Sequence, residues 1–118
     1  MKVKSYKDLK VWQKGIEIVD KVYVATEKFP KKEMYSLASQ AQRSAVSIPS
    51  NISEGFTRHH TKEYMQFLYI ALGSCAELET QLIIANRRDY VDQEELEDLQ
   101  EDIDHASRML MNLIKSLR

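Results

Sequence analysis

Apolar residues along this chain recur at intervals of three and four, the spacing that gathers side chains on one side of an α-helix. From about residue 9 to residue 28, Leu9, Trp12, Ile16, Val19 and Tyr23 lie beside Val11, Ile18, Val22 and Ala25. Together they cover roughly half of the helix circumference, more than one core-facing stripe. Ser5 or Asp8 is the expected N-cap of this first helix, and Phe29-Pro30 its stop.

A second helix is expected from Lys32 or Glu33, with Met34, Leu37, Ala41, Ser44, Ala45 and Ile48 on one face. Pro49 lacks an amide hydrogen and its ring crowds the Ala45 carbonyl, so this helix should kink or break there. Ser47, Ser50 and Asn51 could satisfy the freed groups, and Gly55 is the expected C-terminal cap. Thr61 should cap a third helix reaching Asn86, apolar nearly all round, which is the signature of a buried element. Its segment from Tyr64 to Asn86 approaches a membrane span in composition. Gln66, Glu77, Glu79 and Gln81 interrupt it, and burial in protein is the expectation. Asp92 should cap a fourth helix in which Leu96, Leu99, Ile103, Ala106, Leu110, Leu113 and Leu117 form a heptad seam under a strongly acidic, solvent-facing side.

Four such helices with short connections predict an all-α fold, an up-and-down antiparallel four-helix bundle with helix two kinked at Pro49. Residues 1–118 form a single domain on this reading, long enough to bury roughly two thirds of the surface exposed by the unfolded chain. Only three glycines and two prolines interrupt the chain, which agrees with long helices. The surplus apolar surface of helices one and three is expected to be covered by other copies of the chain. Cys75 is the only cysteine, excluding an intramolecular disulfide, and the start MKVKSYKDLK lacks an apolar secretory core. A cytoplasmic address is the corresponding expectation.

The net charge of −1 conceals opposed halves: residues 1–60 carry eleven Lys and Arg against six Asp and Glu, and residues 61–118 carry six against twelve. Lys7, Lys14, Lys21 and Lys28 repeat every seven residues with Lys10 close to the same line, forming a row about 30 Å long on helix one. Such a row could follow a nucleic-acid backbone. It could equally be a solvated face, or pair with the acids of helix four. Arg58, His59, His60 and Lys62 add a basic cluster in the loop between helices two and three, with no obvious stacking aromatic beside it.

Other polar residues have structural explanations. Glu79 lies within the apolar arc of helix three, where Arg43 is the expected partner in a structural ion pair. Asp98, Asp102 and His105 share a face of helix four, but a di-iron bundle needs a second such motif and further inward carboxylates, and these side chains are expected to face outward. Cys75 reads as a small buried hydrophobe. No metal, cofactor or catalytic residue is expected.

One extended pattern is familiar. Asp8-Leu9-Lys10-Val11-Trp12-Gln13, Phe29-Pro30-Lys31, the run from Gln40 through Ser47-Ile48-Pro49-Ser50-Asn51-Ile52-Ser53-Glu54-Gly55, Phe67-Leu68, and Gly73-Ser74 with Glu77 together resemble the bacterial four-helix-bundle family encoded in intervening sequences of 23S ribosomal RNA genes. The resemblance spans roughly Tyr6 to Ile114, and is most specific from Ser47 to Gly55. It implies a ring-shaped homopentamer. A related branch, the accessory variability determinant of retroelements, binds nucleic acid and a reverse transcriptase, which makes RNA or DNA a reasonable partner here. Where the family usually has glycine before the tyrosine that opens helix four, this chain has Asp89, a residue that tolerates the left-handed conformation.

The expectation is therefore a non-enzymatic homo-oligomer that binds RNA or DNA through backbone electrostatics. Its rival is a scaffold ring that engages a protein partner and has no nucleic-acid role.

Overall fold

Ser5 opens the fold with a capping box: its hydroxyl takes the Lys7 amide (3.2 Å), and the Asp8 carboxylate takes the Ser5 amide (3.2 Å). The resulting 3-10 turn, Tyr6–Asp8, leads directly into α1, Lys10–Thr26. The computed structural model describes residues 3–118, and in it α1 is followed by α2 (Leu37–Phe56), α3 (Thr61–Arg87) and α4 (Gln93–Leu117). Among the described residues there is no strand. Consecutive helices pack side by side and α4 closes against α1, leaving α1 and α3 at opposite corners. This is the expected up-and-down four-helix bundle, 43 × 25 × 20 Å.

The core runs the length of that bundle through Ile18, Val22, Ile48, Ile52, Leu68, Leu78, Leu82, Leu110 and Ile114, all essentially without solvent exposure. Truncating a side chain of this kind to alanine generally costs about 2–5 kcal/mol. By length and composition α3 would suffice to cross a membrane. In the bundle its Leu68, Ala71, Cys75, Leu78, Leu82 and Ala85 are core residues packed between α2 and α4.

The second helix departs from expectation at both ends. After Pro30 the chain makes a 3-10 turn, Lys31–Glu33, and Ser36 (φ −125°, ψ −108°) is not helical, so α2 begins only at Leu37. Met34 consequently lies outside the helix and is exposed. Glu33 reaches forward to accept from the Leu37 amide (3.3 Å), supplying the N-terminal partner that Ser36 does not.

The helix then continues unbroken through Pro49 to Phe56. Gly15 of α1 helps to accommodate the ring: a Cβ there would stand 3.3 Å from Pro49 Cβ and Cδ, so the bare backbone lets the two helices meet without either having to shift. The polar residues around Pro49 do not bond the Ala45 carbonyl. Asn51 Nδ2 donates to the Ser47 carbonyl (2.8 Å) and to Ser47 Oγ (2.9 Å), and Ser74 Oγ donates to the Ile70 carbonyl (3.1 Å). Because Ser74 spends its proton on Ile70, the 2.8 Å contact between Ser47 and Ser74 runs from the Ser47 hydroxyl to the Ser74 oxygen, linking α2 to α3.

Gly55 is not a cap. It has a helical backbone inside α2, and a Cβ on it would stand 2.8 Å from Phe67 Cβ and 3.0 Å from Tyr64 Cδ1, so it is a point of close approach between α2 and α3. At the start of α3 His60, not Thr61, is the N-cap. Asp92 caps α4 as expected, accepting from the Glu95 amide at 2.7 Å.

Candidate nucleic-acid interface

Seven-residue spacing aligns Lys14, Lys21 and Lys28 on α1, and the packing of α4 beside it decides what they face. Lys14 Nζ lies 3.4 Å from Asp102 Oδ1 and 3.1 Å from Glu17 Oε2. Lys21 Nζ lies 2.6 Å from Asp102 Oδ2 and 3.0 Å from Asp98 Oδ2, and Lys28 pairs with Glu95. The hydrogen bond to Asp102, followed by that to Asp98, holds the Lys21 ammonium well above its ordinary pKa. Lys14 is raised as well, chiefly by Glu17 and with help from Asp102. Three lysines of the row thus compensate α4 carboxylates. Asp102, expected to face outward, is only 9% exposed and lies against α1.

Lys7 and Lys10 remain exposed at the N-terminal end of the row and have no carboxylate partner among the described residues. The antiparallel topology brings the α2–α3 loop to that same end. There His59, His60 and Lys62 are exposed, whereas Arg58 is engaged: it donates to Glu54 Oε2 (2.8 Å) and its guanidinium stands 4.8 Å from the Phe67 ring centroid. The fold adds three cations that no local motif marked. Lys4 precedes the first turn, and Lys115 and Arg118 arrive with the C-terminus of α4, where Arg118 donates to the Tyr69 hydroxyl at 2.9 Å. Helix count and length could have revealed this convergence, because α1 starts where α4 ends.

The expected Arg43–Glu79 ion pair does not form. Glu79 turns toward α4 and accepts from Gln100 Nε2 (3.2 Å), while Arg43 is exposed and shares an α2–α3 groove with Gln40, Ser44, Ser47, Glu77 and Gln81. Residues 77 and 79 are about 200° apart around a helix, and Glu77 is the acid on Arg43's side. Burial raises the Cys75 thiol, partly offset by a hydrogen bond with Ser107, and burial also raises the Tyr64 phenol. Among the described residues no group of three or more His, Cys, Asp or Glu is arranged to hold a metal ion.

The family model described as 23S rRNA-intervening sequence protein matches residues 7–112. The chain belongs to that family. Its bundle is similar to the crystal structure of a protein of unknown function from the S23 ribosomal protein family of Bacteroides thetaiotaomicron, with a TM-score of 0.82 and 24% identity over 89% of this chain and 98% of that one. At that identity the likeness shows the fold. Among curated proteins no match to the chain is found. For this 23S rRNA-intervening sequence protein the resemblance seen in the motif around Pro49 therefore extends over nearly the whole bundle.

Proposed function

We propose that this family member is a non-enzymatic homo-oligomer that binds RNA or DNA through phosphate contacts at the end of the bundle bearing the α2–α3 loop. The carrying observation is the convergence there of Lys4, Lys7, Lys10, Lys62, Lys115 and Arg118, exposed cations without carboxylate partners among the described residues. Self-association would repeat this basic end around the assembly and multiply weak contacts into useful avidity. Support for self-association comes from Ile16, Tyr23 and Val24 on α1 and Tyr69, Ile70, Ile83 and Ile84 on α3, apolar side chains exposed in the single chain. The family resemblance suggests five copies.

Charge reversal tests the site. The triple variant Lys7→Glu, Lys10→Glu, Lys62→Glu should lose salt-sensitive binding to a pool of double-stranded RNA and DNA in fluorescence anisotropy, with oligomer mass unchanged by light scattering. Retained binding would refute the assignment. The scaffold alternative draws on the neutralisation of Lys14, Lys21 and Lys28 by α4, since that part of the basic row serves the bundle itself. It predicts a partner whose affinity changes little with salt, whereas phosphate contacts predict a steep loss.

A further inference from the structure

Tyr35 is 92% exposed, in a molecule whose other aromatic rings are at least partly covered. Its position is not that of a loose loop. The 3-10 turn before it is closed by the Glu33 amide on the Pro30 carbonyl (2.9 Å) and the Met34 amide on the Lys31 carbonyl (3.1 Å), and Ser36 bonds back to the Glu33 carbonyl (3.0 Å). Glu33 is fastened in turn by the Tyr90 hydroxyl at 3.1 Å and by the Leu37 amide. The backbone presenting the Tyr35 ring is therefore held before any partner arrives, which lowers the entropic cost of binding.

The surroundings define what such a ring would take. Lys31 and Lys32 precede it, exposed and without carboxylate partners among the described residues. Arg88, also exposed, is the C-cap of α3, two residues before Tyr90, whose hydroxyl anchors the turn. Beside Met34 opens a groove of about 380 Å³ lined by Phe29, Pro30 and Met34 together with Glu27, Lys31 and Gln42, within the size range of small-molecule clefts. A flat aromatic face, a nearby recess that is part apolar and part polar, and unpaired cations are the parts of a platform for single-stranded nucleic acid, where bases stack and phosphates meet ammonium and guanidinium groups.

We infer that the α1–α2 turn is a second, single-strand-specific contact: a base stacks on Tyr35 while Lys31, Lys32 and Arg88 hold the adjoining phosphates. The ligand class rests on the nucleic-acid reading above, but the site lies at the opposite end of the bundle from the α2–α3 loop and is tested separately. A duplex hides the faces of its bases, so only an unpaired strand satisfies Tyr35.

The probe is an oligodeoxyadenylate carrying one 2-aminopurine, whose fluorescence falls on stacking, with a duplex of the same sequence as competitor. The parent protein should quench the single strand. Tyr35→Ala should weaken binding by about tenfold without altering oligomer mass, and Tyr35→Trp should restore the quench. The Lys7→Glu, Lys10→Glu, Lys62→Glu variant should still quench at saturating protein. If Tyr35→Ala binds like the parent while the triple variant loses binding, the stacking site is refuted and the basic end stands. If the parent binds neither strand form at low salt, both readings fall. A change of oligomer mass in Tyr35→Ala would also overturn the inference, assigning the ring to a contact between copies.

Discussion

Asp89 carries a φ of 64°, the one non-glycine residue in the left-handed region among those described. It holds that conformation because α3 ends in a Schellman arrangement: the Tyr90 amide reaches the Ala85 carbonyl (2.9 Å) and the Asp89 amide the Asn86 carbonyl (3.0 Å). Asp89→Gly should therefore raise the urea midpoint, and Asp89→Val should lower it by about 1–2 kcal/mol of stability; equal midpoints would show that the turn carries no strain. Gly55 behaves oppositely. Its φ is ordinary, but an added Cβ would meet Phe67 and Tyr64 of the neighbouring helix at 2.8–3.0 Å, so Gly55→Ala should cost about 1–3 kcal/mol despite its better helix propensity. The two residues also mark a boundary of what local sequence reveals. Asp89 was legible because a helix terminus is a local event, whereas Gly55 looked like a terminus and is a packing contact, which depends on where α3 comes to lie.

At the scale of helices, the α1–α4 seam is held by Lys14, Lys21 and Lys28 against Asp102, Asp98 and Glu95. The fold was legible here down to the spacing of Leu99, Ile103 and Ala106. Asp102 stands three residues after Leu99 and four before Ala106, which puts it on the edge of that same stripe. What the pattern left open was which neighbour α4 would choose, and therefore whether the lysine row meets solvent, a ligand or these acids. Asp102→Asn should destabilise the bundle by about 1–2 kcal/mol at neutral pH, because both ammonium groups can turn partly to Glu17, Asp98 and water. The pH dependence has a definite sign. Lys14 and Lys21 have pKa values raised in the folded state above the ordinary 10.5, so their contribution is complete below pH 10.5 and is lost as pH rises beyond it. Urea melts at about pH 8 and about pH 11.5 should show the stability gap between parent and Asp102→Asn narrowing at the higher pH; a constant gap would mean that Asp102 contributes by shape and hydrogen bonding, not charge.

For the molecule as a whole, most of the exposed apolar side chains on the helices fall at two different corners, Ile16, Tyr23 and Val24 on α1 with Val46 of α2 beside them, and Tyr69, Ile70, Ile83 and Ile84 on α3. In the homo-oligomer proposed above, unlike patches at opposite corners would favour a head-to-tail contact, which closes into a ring when the rotation per copy permits, over the like-to-like contact of a twofold dimer. Gly73 sharpens this argument. It sits in the middle of α3, where glycine costs about 1 kcal/mol relative to alanine, and an added Cβ would meet nothing within 4 Å in the single chain. Nothing within one copy repays that cost, whereas a neighbouring copy lying close along α3 would. Gly73→Ala should then leave the fold intact and stabilise the isolated helix, while Gly73→Trp should preserve the circular dichroism spectrum yet lower the mass measured by light scattering toward that of one chain. An oligomer that keeps its mass with tryptophan at position 73 would move the contact between copies away from α3, and leave Tyr69, Ile70 and Ile84 free for another partner.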